Sequence, residues 1–115
     1  LHVPPALAPE TRAPDSIQFN LVGFDSDEDA RAFQAAAKSH GISVQVFGMS
    51  SDNARAFWNW QFLADQPNLP ATRSMLMRAC DVRLPARLQK PDLDFIIKAL
   101  TEAAKATHPT PAKVA

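Results

Sequence analysis

Residues 69–104 read LPATRSMLMRACDVRLPARLQKPDLDFIIKALTEAA, and their punctuation divides them into helix, strand and helix. Pro70 suits the first turn of a short helix running to about Ala79, with Met75, Leu76 and Ala79 turned inward. Val82 and Leu84 then lie in a strand that Pro85 terminates, because proline cannot donate to a ladder. Pro91 opens a second helix. There Leu93, Ile96, Ile97, Leu100 and Ala104 recur at helical spacing, which predicts a buried stripe, and Asp94 and Lys98 are placed to pair outside it.

Working back from this stretch, Ser16 to Gly23 alternates Ile17, Phe19 and Leu21 against Gln18 and Asn20, the period of a strand with one buried face. Ser26 with Asp29 three residues on is a capping-box start, and Asp27, Glu28 and Asp29 put negative charge at the positive end of a helix. The helix is expected over about Asp27 to His40, with Ala30, Phe33, Ala36 and Ala37 buried and Asp27 paired to Arg31. His40 would place a cation at the helix C-terminus, and Gly41 suits a left-handed cap. Ile42, Val44 and Val46 alternate with Ser43 and Gln45 as a second strand, which the intervening helix should bring back pointing the same way as the first.

The expected fold class is α/β (α+β): a two-layer sandwich of about three strands with helices on one face, in the order β-α-β-α-β-α. Residues 16–106 form the single domain, residues 1–15, with Pro4, Pro5, Pro9 and Pro14, a linker or arm, and residues 107–115 a loose tail. A sheet covered on one face only should expose Val22, Phe47 or similar residues unless a partner covers them.

A chain of 115 residues has room for one modest core, burying about two-thirds of its unfolded surface. Twelve basic and twelve acidic residues cancel, so no electrostatic footprint for nucleic acid is present. No apolar run reaches the length of a membrane span, and no signal sequence opens the chain; a soluble, unexported, cytoplasmic protein is expected. The lone Cys80 cannot form an internal disulfide and is expected as a small core residue. His2, His40 and His108 lack any metal spacing, and the Asp25 to Asp29 acids lack that of a calcium loop.

The pattern of Asp81, Arg83, Leu84 and Pro85, followed by Asp94, Ile96, Ile97, Ala99 and Leu100, resembles the end of DegT-like aminotransferases, pyridoxal phosphate (PLP) enzymes of fold type I. Gly41-Ile42 and the stretch Asn59 to Leu63 fit the same pattern, so the resemblance spans residues 16–104. It implies the C-terminal small domain of a PLP-dependent aminotransferase that moves an amino group to a keto sugar or related ketone. By the same resemblance the partner is a large PLP-binding domain or a second subunit, reached through the open sheet face. Where the family often carries a His-Tyr pair, this chain reads Val46-Phe47-Gly48-Met49, so substrate contacts do not carry over.

No catalytic, cofactor-binding or metal-binding residue is expected in this chain itself. Its lysines, Lys38, Lys90, Lys98, Lys105 and Lys113, fall at helix ends, on wet faces or in the tail, and three glycines make no phosphate cradle. Alone, the chain should be catalytically silent. If the aromatic segment 57–62 is extended, Phe57 and Trp58 point to opposite sides, and part of its surface should meet a partner. Arg55, Trp58 and Trp60 are the interface or substrate-edge candidates, together with Arg83, whose planar fork suits a carboxylate. Core closure by the aromatics, and an ion pair of Arg83 with Asp81 or with a helix acid, are the structural alternatives. The functional alternative is a free-standing α/β binding or regulatory module for a protein partner or small ligand.

Overall fold

The computed structural model describes residues 1–11 and 15–109. Strand β1 (Ser16–Asn20) leads through a turn into helix α1 (Asp27–Ser39), and strand β2 (Gln45–Val46) follows. Helix α2 (Pro70–Leu76), strand β3 (Ala79–Arg83) and helix α3 (Lys90–Thr107) follow. The element order is the expected one. The sheet is ordered β1-β3-β2 with both pairings antiparallel, so β1 and β2 do run the same way, and β3 lies between them.

Helix α1 starts where its cap residues direct. Ser26 Oγ accepts from the Asp29 N–H at 3.1 Å, and Asp29 accepts from the Ser26 N–H at 3.1 Å. The Ser26 hydroxyl foremost, then the Ser26 backbone N–H, holds the Asp29 carboxyl below its usual range. At the far end His40 caps, and Gly41 adopts φ of 83°, a conformation that would strain any side chain.

The main core lies between the sheet and the α1–α3 pair. Phe19, Cys80, Val82 and Val46 point down from the strands onto Ala30, Phe33 and Ala37 of α1 and Ala99, Leu100 and Ala103 of α3. Alanines at the crossing let the two helices approach closely, and Phe33 meets Phe19 and Phe24 edge to face at 6.1 and 5.9 Å. Because this seam uses the small residues, α3 is rotated from the expected stripe. Ile96 and Ala104 pack only partly, while Leu93 and Ile97 face outward, Ile97 at 63% exposure. Asp94 correspondingly pairs with Lys90 at 2.7 Å rather than with Lys98.

Other local expectations yield to tertiary contacts. The second strand is shorter than its alternation suggests: Ile42 and Val44 are buried, yet they splay from β3 before reaching Gln45. Helix α2 ends at Leu76 and buries none of its residues; Met75 is exposed and Met77, just past the end, is the residue that enters the interior. Asp27 turns from Arg31 to Arg78, with Nη1 at 2.7 Å, and to Arg73 at 3.5 Å. Arg78 is held there because Nε donates to the Phe24 carbonyl at 3.0 Å and Nη2 to that of Asp25 at 2.7 Å. One guanidinium thus ties the β1–α1 turn to the α2–β3 junction.

The ends of the chain are less free than their composition suggests. His2 exchanges two backbone hydrogen bonds with Asn20, extending the outer edge of β1. Thr107 completes α3, and the His108 ring packs edge-on against Phe24 at 5.3 Å, above Gly23, where a Cβ would collide with it. Residues 12–14 of the expected arm and 110–115 of the expected tail fall outside the described residues. Among the described residues no helix is long and apolar enough to cross a membrane.

Candidate functional site

Strand parity assigns the second face of the sheet. Gln18 and Gln45 stand opposite Asp81 on its two sides, and Ala79 and Arg83 flank it along β3. This face is polar at its centre, and of the two residues expected to be exposed only Phe47 departs from the expectation. Val22 is exposed, but in the turn after β1; Phe47 is buried under the residues that follow it.

Those residues, 47–62, fold as two short 3-10 turns, Phe47–Met49 and Phe57–Asn59, instead of an extended run. The Asn59 side-chain amide donates to the carbonyls of Ser50 and Asn53 at 2.8 and 3.0 Å, and Asn53 Oδ1 accepts from the Arg55 N–H, closing the loop on itself. Phe47, Ala56, Phe57 and Met77 are buried here, outside the main core. Helix α2 packs beside the first of these turns. Thr72, Met75 and Leu76 rim a depression of about 430 Å³ that also reaches Gln18, Asn20 and Ala79.

The four candidate residues occupy different parts of this surface. Arg55 is exposed, with its guanidinium 4.5 Å from the Phe47 ring centre and Nη1 3.9 Å from Asp81 Oδ2. Trp58 is half-buried, edge-on to Phe57 at 5.2 Å and faced by Arg73 at 5.3 Å. Trp60, 36% exposed, donates Nε1 to the Ala54 carbonyl at 2.6 Å and stacks on exposed Phe62 at 5.5 Å. Arg83 is exposed at the end of β3 and makes no ion pair among the described residues; Asp81 faces Arg55 instead, so the Arg83–Asp81 pair is not formed.

Asp81 is the residue that sequence reading undervalued. It is 3% exposed, no hydrogen bond reaches its carboxylate among the described residues, and its one cation stands beyond hydrogen-bond distance. A carboxyl group this buried is more often closely paired or hydrogen-bonded. The available signal was the lone acid in the apolar run Ala79 to Val82.

Neighbouring Cys80 sits on the opposite, core side, where burial first and the Asp81 charge second push its thiol up to about 12. It is protonated and inert at neutral pH. Among the described residues no three His, Cys, Asp or Glu side chains gather to hold a metal.

No family model matches this chain, and neither a curated protein nor a solved structure is significantly similar to it.

Proposed function

We propose that the chain is the small C-terminal domain of a DegT-like, PLP-dependent aminotransferase, silent on its own and working by closing over a larger partner. The supporting observation is the two-sidedness of the sheet. Helices α1 and α3 seal one face, while the other presents Gln18, Gln45, Asp81 and Arg83 beneath a partial roof of residues 47–62. A polar floor beside an aromatic rim suits a surface that shuts onto a wet cleft, expelling water and completing its wall.

The described residues do not fit the coenzyme. Lys38, Lys90, Lys98 and Lys105 are all exposed. Gly23 lies against His108 and Gly48 against Met77, which leaves Gly41 as the single glycine with open space, too few for a phosphate cradle. Amino transfer to a keto sugar or related ketone, and the dimer in which it takes place, therefore belong to the rest of the proposed enzyme, with a cytoplasmic location. Intact mass and visible absorbance of the native polypeptide test the proposal. A much longer chain with a lysine-bound coenzyme band is expected, and a native chain of this length without that band refutes it.

A free-standing binding module is the second reading, favoured by the separate buried cluster of Phe47, Ala56, Phe57 and Met77, with which the chain closes part of its own second face. Sedimentation separates the two: a module stays monodisperse and ignores hydrophobic dyes, whereas an orphaned domain associates or binds them.

A further inference from the structure

The ladder between β2 and β3 stops one pair early. Leu84 N–H bonds to Asp15 O and Leu21 N–H to Arg78 O, so β3 residues of even number bond to β1, and the N–H and C=O of Asp81 and Arg83 point toward β2. Gln45 answers Asp81; Ser43, the next partner in register, does not pair with Arg83. The gap is a cleft of about 540 Å³. Its polar rim holds Ser43, Gln45, Asp81 and Arg83, and Ile42 and Ile96 give it an apolar end.

Two features make this cleft a receptor rather than a packing defect. Asp81 lines it, nine-tenths buried, and its carboxylate has no hydrogen bond among the described residues, only the ion pair with Arg55 at 3.9 Å. Arg83 lines the same cleft with its guanidinium in no ion pair among the described residues and its backbone N–H facing the gap. Asp81 and Arg83 stand two residues apart on one strand, about 6.6 Å along its backbone, and form no ion pair with each other. With Arg55 and Arg83 beside one acid, a bare cation meets repulsion, and a bare anion meets Asp81. A molecule carrying both an ammonium and a carboxylate satisfies both groups, and the wall of Ile42 and Ile96 accepts an aliphatic side chain.

We propose that the cleft where the β2–β3 ladder ends binds an aliphatic α-amino acid, its ammonium on Asp81 and its carboxylate on Arg83. The bound molecule supplies the charge-assisted hydrogen bonds that the acid lacks and fills the missing rung of the ladder. The proposal does not rest on the aminotransferase reading, since the site lies wholly within this chain.

Backbone amide NMR of the full chain tests it, with L-valine and L-leucine as probes and isobutylamine and isovalerate as single-charge controls. The expected result is saturable shifts at Ser43, Gln45, Asp81 and Arg83 with either amino acid below about 10 mM, with neither control reproducing them. Asp81→Asn and Arg83→Gln should each weaken binding roughly tenfold or more, through loss of a charged partner. Arg83 is exposed, so its variant decides the matter if Asp81→Asn does not fold. Absence of saturable shifts with both amino acids overturns the proposal. So does a control that binds equally well, or unchanged affinity in Arg83→Gln.

Discussion

Arg78→Ala is the most informative single perturbation of the fold. The side chain is 13% exposed and makes three strong hydrogen bonds, to the carbonyls of Phe24 and Asp25 and to the Asp27 carboxylate. Bonds to charged groups contribute about 1.5 to 3 kcal/mol each, but they are not additive, and water can reach the Asp25 end. Asp27 also keeps Arg73 at 3.5 Å as a substitute. The net cost should be about 2 to 4 kcal/mol. For a chain of this size that lowers Tm by roughly 10 °C or more. Arg78→Lys should recover only part of the loss, because one ammonium cannot span three acceptors. Urea titration followed by circular dichroism gives the free energies, with Arg73→Ala as a control expected to cost under about 1 kcal/mol. A loss below about 0.5 kcal/mol for Arg78→Ala, or equal losses at Arg73 and Arg78, would refute the role given to this guanidinium.

Three further outcomes follow from the same geometry. Cys80, with its thiol raised to about 12, should resist a disulfide reagent at pH 8 in the folded protein and react at once in denaturant; fast native reaction contradicts its burial. Ser26→Ala should cost roughly 1 kcal/mol at neutral pH through loss of the cap. Since the cap holds the Asp29 carboxyl below its unfolded value, the difference should shrink as pH falls through the carboxylate range, and a pH-independent difference would argue against it. Phe57→Ala should cost about 3 to 5 kcal/mol as a buried ring, and Trp60→Ala under about 1.5, with self-association reduced in the second; equal destabilisation would make Trp60 a core residue.

The elements themselves were legible because each carries a local signal. Ser26 and Asp29 mark the start of α1, Gly41 its end, and Pro91 the first turn of α3, all of them short-range effects of cap chemistry and backbone restriction. The candidate surface was only partly legible. Arg55, Trp58 and Trp60 do share one segment, but its 3-10 turns have no hydrophobic period to detect, and its fold depends on Asn53 and Asn59 bonding within the loop. Asp81 stood in plain view in an apolar run. Its significance required knowing that β3 is the central strand, with a neighbour on each side to bury it.

Residue chemistry alone determined the α/β class, the order of elements and the absence of a glycine-rich phosphate cradle, since periodicity, caps and composition act within a turn or two of the chain. Tertiary structure decided what distant segments share. It inserted β3 between β1 and β2, turned α3 so that Ala99 and Ala103 rather than Leu93 and Ile97 met α1, and sent Asp27 to Arg78, 51 residues away. Each of these choices compares alternatives with nearly equal local propensity, and close packing across the sheet, which has no one-dimensional signature, selects among them.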